Sequence, residues 1–171
     1  MGTDKIMTRT YASPCGTLIL GSYRDRLCLC DWLVENHRER VDRRLHRILR
    51  TEFEEGKSAV TERAEAELDE YFAGVRHQFD IPLLFVGTEF QKKVWNDLLS
   101  IPYGKTISYG EMARRMGLPR AVRAVANANG ANSISIFAPC HRVIGSDGRP
   151  TGYGGGLPAK EFLLELEKTR N

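Results

Sequence analysis

Between residues 88 and 130 the chain carries helix start and stop signals so closely spaced that only short helices fit between them. Thr88-Glu89-Phe90-Gln91 has the pattern of a capping box, in which the hydroxyl and the amide each satisfy a free backbone N–H. Phe90, Val94 and Leu98, with Trp95 and Leu99 alongside, mark the buried face of the helix that follows, and Ile101-Pro102-Tyr103-Gly104 ends it. Ser108-Tyr109-Gly110-Glu111 repeats the box and predicts a second short helix, closed by Gly117. Pro119 suits the first turn of a third, because its fixed φ is already helical, and Val122, Val125, Ala126 and Asn129 carry that helix to Gly130. Two short helices joined across Gly117-Leu118-Pro119 make a helix-turn-helix, with Arg114, Arg115, Arg120 and Arg123 close by. Such pairs also occur in ordinary helical cores, so the pattern permits DNA binding without requiring it.

The first half is patterned differently. Ser13-Pro14-Cys15-Gly16 is a turn, Thr17 to Tyr23 has strand composition, and Arg24-Asp25-Arg26 turns the chain into a second run from Leu27 to Trp32. Val41, Leu45, Ile48 and Leu49 fall on one face of a helix between His37 and Arg50. Its six arginines, beside Glu39 and Asp42, fit a solvated face with internal ion pairs better than a phosphate-binding face. Ala64, Leu68, Tyr71 and Phe72 predict a further helix stopped by Gly74, and Arg76 to Ile81 a closing strand. Nothing in this half looks catalytic.

Composition excludes several classes. At 171 residues, 27% of them charged, the chain is long enough for one compact domain or two small ones and too apolar for wholesale disorder. The longest stretch without a charged residue, Ala124 to Cys140, is rich in Asn and Ser and is no membrane span. Met1 to Thr10 lacks the apolar core of a signal peptide. Four irregularly spaced cysteines make no disulfide framework, and a reduced cytoplasmic location is expected. Cys28-Leu29-Cys30 places both thiols on one strand face, as core rather than as metal ligands. The net charge of +3 is uneven: residues 1–84 carry −2 and residues 85–171 carry +5, which hints that the second half meets a polyanion.

The chemistry centres on Cys140. Ile134-Ser135-Ile136-Phe137 alternates as a strand and leads into Ala138-Pro139-Cys140-His141-Arg142-Val143, so the thiol is flanked by groups that stabilise a thiolate or take its proton. Neighbours on an extended strand point to opposite faces. Cys140 and His141 therefore need a sharp backbone turn or a bridging water to cooperate. A neutral imidazole also needs an orienting partner, and Glu161, Glu165 and Glu167 on a final helix beginning near Pro158 are all candidates by order alone. The Gly152-Tyr153-Gly154-Gly155-Gly156 loop lacks the Lys-Ser/Thr that follows a phosphate-binding loop.

Pro139-Cys140-His141-Arg142-Val143-Ile144, with Tyr153-Gly154-Gly155-Gly156 downstream, resembles the O6-alkylguanine-DNA alkyltransferase (methylated-DNA–protein-cysteine methyltransferase) family. The resemblance extends through Phe90, Val94-Trp95, Leu98, Ile101-Pro102-Tyr103-Gly104, Ser108-Tyr109 and Arg123-Ala124-Val125, and covers roughly residues 85 to 168. It implies an α+β fold: an N-terminal ribonuclease-H-like sheet-and-helix domain of structural role over residues 1–84, then a winged-helix-like, helix-turn-helix alkyltransferase domain over 85–171. It also implies repair of O6-alkylguanine, and of O4-alkylthymine, in double-stranded DNA by irreversible single-turnover transfer of the alkyl group to Cys140. The protein would act as a monomer, without cofactor, required metal or membrane.

The same resemblance implies individual roles. Cys140 matches the alkyl acceptor, His141 the base acting through a bridging water, and Glu167 the carboxylate that orients it. Tyr109 matches the phenol that protonates the departing guanine. Arg123 matches the finger that fills the gap left by the flipped base, and Ala124 and Asn127 lie on the same DNA-facing helix. Asn132 matches a brace of the active-site turn, Ser135 a pocket-lining position where a relative has Pro, and Tyr153, Gly154, Gly155 and Gly156 the loop that walls the base pocket. Asn127 departs from the pattern, standing where some members have Gly. Without the resemblance, a Cys-His thiol hydrolase and a non-catalytic DNA-binding module are the competing readings of the same residues.

Overall fold

The computed structural model describes residues 4–169. Met1 to Thr3, part of the N-terminal segment read above as no signal peptide, lie outside the described residues. The fold is α+β. A four-stranded sheet in the order β3-β2-β1-β4 is built from β1 (Ile6–Ser13), β2 (Gly16–Tyr23), β3 (Arg26–Trp32) and β4 (Phe53–Glu55). The first three pair antiparallel in sequence order, while β4 returns parallel to β1. Strands β1 and β4 go beyond the sequence reading. β1 is half buried and mostly polar, and its outward residues are held by helix partners: Arg9 pairs with Glu65, and the Tyr11 hydroxyl donates to Asp69 at 2.6 Å.

Each sheet face carries a helix. α1 (Glu35–Leu49) buries Val41 and Leu45 against Ile6, Cys28 and Leu29. α2 (Ala59–Phe72) buries Ala64, Leu68 and Tyr71 against Leu18, Leu20, Leu27, Cys30 and Trp32. Cys28 and Cys30 thus lie on opposite faces, not on one. The register between β2 and β3 shifts at Gly21/Ser22, a bulge that takes Cys28 out of alternation and reverses the face of everything beyond it. Both thiols are buried among apolar side chains.

Arg76 to Ile81 is no strand. The segment is a loop held by side chains, with the Asp80 amide donating to the Glu67 carboxylate at 3.1 Å and Arg76 to the Gln78 carbonyl at 2.8 Å. Pairing with β3 comes only at a bridge from Leu27 to Leu83, since Pro82 has no N–H to extend a ladder.

In the second half, α3 (Glu89–Leu98) starts with both arms of the Thr88/Gln91 capping box formed. α4 (Tyr109–Arg115) and α5 (Val122–Gly130) are the helix-turn-helix, with Gly117 in the left-handed conformation (φ 74°) between them. Ser108 caps α4 through the Glu111 amide, but only this arm of the predicted box forms. Pro119 lies in a turn ahead of α5, which begins three residues later without a side-chain cap. A two-stranded parallel ladder joins β5 (Ile107–Ser108) to β6 (Val143–Ile144), and α6 (Leu157–Thr169) closes the chain. Val94, Trp95, Leu98, Met112, Val125 and Val143 form the core beneath the helix pair. Among the described residues, no helix is long and apolar enough to cross a membrane.

The halves share apolar and polar contacts. Ile134, Ile136, Phe137 and Leu163 complete the core on the α2 face of the sheet. Two arginines of α1 are structural rather than solvated. Arg38 pairs with the buried Asp31 at 3.1 Å, and Arg44 donates to the Ala131 carbonyl at 2.7 Å with its guanidinium 5.2 Å from the Trp95 ring. Burial lowers the Arg44 pKa to about 10. Arg44→Ala should therefore lower the free energy of urea unfolding by about 2 kcal/mol, the sum of a buried hydrogen bond and a desolvated cation–π contact. The exposed Arg47→Ala should stay within about 0.5 kcal/mol of wild type.

Candidate active site

The segment predicted as a strand over Ile134 to Phe137 is a tight buried turn. Only Ile134 makes a bridge, with Cys30, and Ile136 is left-handed at φ 74°. Asn132 imposes the shape: its Oδ1 accepts from the Ile134 amide at 3.0 Å, and its Nδ2 donates to the Ala138 carbonyl at 2.9 Å. The outer side of the turn docks on β3, where the Cys30 amide donates to Ser133 O at 2.9 Å and the Ser135 amide to Cys30 O at 2.7 Å. Apolar alternation suggested a strand because every residue from Ile134 to Phe137 is buried. Periodicity does not separate a buried turn from a buried strand.

The turn delivers Cys140 into a 3₁₀ turn, Cys140–Arg142, so the backbone bends sharply between Cys140 and His141, one of the two arrangements the sequence left open. Cys140 lies in the lining of a cavity of about 570 Å³ and is 5% exposed. Burial raises its thiol pKa. Hydrogen bonding from Asn132 and Ser135 and the positive charge of Lys160 oppose that shift, since each favours the thiolate. Asn129 Nδ2 reaches the Cys140 carbonyl at 3.4 Å.

His141 and Arg142 point instead to Glu167 on α6. His141 Nε2 lies 2.7 Å from Glu167 Oε2, and Arg142 grips both carboxylate oxygens, through Nε at 2.8 Å and Nη2 at 3.0 Å. The Tyr71 hydroxyl donates to the same carboxylate at 2.6 Å, and the Gly104 amide at 3.2 Å. Burial alone would raise the Glu167 pKa, but His141 and Arg142 outweigh it and hold the carboxyl well below the usual range. Burial lowers the pKa of His141, which keeps the imidazole neutral at pH 7. An ionised carboxylate accepts only, so the His141 proton sits on Nε2, leaving the buried Nδ1 with a lone pair and no partner among the described residues. Of the three glutamates open by order, geometry brings only Glu167 to His141.

Tyr109, Ser135, Tyr153 and Gly154 line the cavity with Cys140. Gly155 packs on Trp32 so closely that a Cβ there would meet its ring at 2.6 Å, and Gly156 is left-handed at φ 90°. Arg123, Ala124 and Asn127 form an exposed face of α5, and Asn127 reaches the cavity rim. Arg115, grouped with these cations by sequence, is tied to Asp97 at 3.2 Å.

Lys160 was missed from the sequence. Fully buried, it donates to the carbonyls of Val143 at 2.7 Å and Thr151 at 2.8 Å beneath the Tyr109 ring, and burial lowers its pKa to about 8. A signal was present: Lys160, Leu163 and Glu167 share one face of α6, and two charges on a buried face point to a site. Tyr71 carried no such signal, because its spacing is that of an ordinary core residue.

Residues 89–169 match the family model described as "6-O-methylguanine DNA methyltransferase, DNA binding domain". A methylated-DNA–protein-cysteine methyltransferase of Methanosarcina barkeri is 44% identical over 156 residues, 91% of this chain and 93% of that protein. The protein of the same name in Mycobacterium tuberculosis is 58% identical over 104 residues, and the match spans 61% of this chain and 63% of the relative's length. The crystal structure of Mycobacterium tuberculosis OGT in complex with DNA superposes with a TM-score of 0.84 at 44% identity, covering 96% of this chain and 94% of that one.

Removing the charge at position 167 tests this site. Glu167→Gln should cost about 3–5 kcal/mol in urea unfolding at neutral pH, because Arg142 stays buried without its counter-ion. The native pKa of Glu167 is depressed, so its contribution is complete above the ordinary value of 4.5 and is lost as pH falls towards the native value. Unfolding measured down to about pH 3 should show wild type progressively losing part of this increment below pH 4.5, while Glu167→Gln shows no such loss.

Proposed function

The chain belongs to the methylated-DNA–protein-cysteine methyltransferase family, and from that membership we propose that it repairs alkylated DNA by direct reversal. The alkyl group of O6-alkylguanine, or of O4-alkylthymine, passes to the thiolate of Cys140 in a single irreversible turnover. The observation that carries this reading is Cys140 in the lining of a cavity roomy enough for a base, next to a neutral His141 whose Nδ1 has no hydrogen-bond partner among the described residues.

An alkylated oxygen inside a duplex is beyond the reach of a buried thiol, so the base leaves the stack at a cost of a few kcal/mol. Arg123 enters the gap, and the small side chain of Ala124 beside it allows close approach to the backbone. Asn127 sits where the extruded strand meets the cavity rim. The Cys140 proton passes through one water to His141 Nδ1, and Glu167 stabilises the imidazolium across its 2.7 Å hydrogen bond. The sulfur attacks the alkyl carbon, a C–S bond forms as the C–O bond breaks, and the electron pair goes to the guanine. Tyr109 supplies the proton that leaves the base neutral. Tyr153 and Gly154 wall the base, Gly155 and Gly156 shape the loop behind them, Ser135 lines the pocket, and Asn132 keeps the turn in register. The product thioether has no ordinary route back to a thiol.

In this reading residues 85–171 bind DNA and transfer the group, and residues 1–84 are the scaffold against which the active-site turn docks. The protein works as a monomer in the cytoplasm, without cofactor.

Intact mass before and after mixing with a duplex containing one O6-methylguanine tests the proposal. One methyl group per protein, mapped to Cys140 and absent in Cys140→Ser, is the expected result, and Tyr109→Phe should slow single-turnover transfer by about 10²-fold. Lesion binding without transfer would leave a damage-sensing protein. Neither binding nor transfer would reopen the thiol hydrolase.

A further inference from the structure

The cavity above Cys140 is not lined by the second half alone. Val34, His37 and Arg40, at the start of α1, line it together with Ala126, Asn127, Asn129 and Gly130 of α5. The arginines of α1 have different fates. Arg38 is consumed by Asp31 and Asp42, Arg43 by Glu39, and Arg44 by the Ala131 carbonyl. Arg40 is exposed, lines the cavity, and has no ion-pair partner among the described residues.

Its placement is rigid. One turn earlier, His37 Nε2 hydrogen-bonds Asp31 at 3.0 Å, and Arg38 holds the other oxygen of that buried carboxylate. The His37 ring also lies against the backbone of the pocket wall, where a Cβ added to Gly154 would meet Nε2 at 2.9 Å. This end of α1 is therefore pinned both to β3 and to the glycine loop. A base extruded into the cavity brings its flanking phosphates to the rim, between α1 and α5. An unpaired guanidinium there faces an anion whose oxygens match its donor fork.

We propose that Arg40 is a phosphate contact for the strand carrying the extrahelical nucleotide, so that the DNA footprint extends from the helix pair onto the N-terminal half. This rests on the repair reading and adds a residue outside the segment matched by the family model.

The test measures affinity for an O6-methylguanine duplex across a salt series, in a Cys140→Ser background that prevents covalent transfer. Arg40→Gln should weaken binding about five- to ten-fold at 0.1 M salt and reduce the slope of log K against log salt by about 0.9, the signature of one lost phosphate contact. The control is Arg47→Gln, exposed on the same helix face two turns away, which should change neither. An unchanged slope for Arg40→Gln, or an equal loss for Arg47→Gln, would overturn the proposal. Failure of the parent protein to take up a methyl group on Cys140 would instead overturn the repair reading.

Discussion

A buried carboxylate is the point on which this structure turns. Glu167 is 1% exposed, a position that is costly for an ion unless every lone pair is used. Donors from four residues in three elements meet that requirement: Tyr71 from α2, the Gly104 amide from the turn after α3, and His141 and Arg142 from the 3₁₀ turn. None of these elements can move independently without stranding a charge. The same ion therefore closes the packing of α2 on α6 and sets the tautomer of the histidine beside Cys140. Fold and chemistry draw on one interaction.

The active-site turn is held from both sides. Within it, Asn132 replaces two backbone hydrogen bonds that a turn this tight cannot make for itself. Outside it, β3 offers the amide and carbonyl of Cys30 as a short extension of the sheet. The bulge in β3 matters here, because it returns Cys30 and Trp32 to the face that meets the second half. Lys160 binds the far end of the same region, joining β6 to the Thr151 carbonyl and placing a cation near the thiol. A buried thiol raised in pKa by its surroundings thus has three local sources of thiolate support, Asn132, Ser135 and Lys160.

Much of the architecture was legible because it rests on local chemistry. Capping by Thr88 and Ser108, the stops at Gly74, Gly104 and Gly117, and most of the apolar spacing of α1, α2 and α3 act within a few residues, although Ile48 and Leu99, placed on apolar faces by their spacing, are exposed. The misread elements are those where distant contacts decided. Ile134 to Phe137 has a strand pattern but folds as a turn under the control of Asn132, and Pro119 could begin a helix but does not. β1 was unreadable as a strand because its polar residues find partners on α2, contacts that no local pattern encodes.

The sequence by itself determined the helix pair, the thiol flanked by His141 and Arg142, and the family, because caps, breakers and adjacent reactive groups act through covalent neighbourhood. Only the tertiary structure decided that Lys160 and Tyr71 belong to the site, that Arg142 and Tyr71 share the Glu167 carboxylate with His141, and that two arginines of α1 are internal while a third lines the cavity. The physical reason is burial. Once an ion or a polar group leaves water its partners are obligatory, and those partners come from whichever elements the fold brings within 3 Å, far apart as they are along the chain.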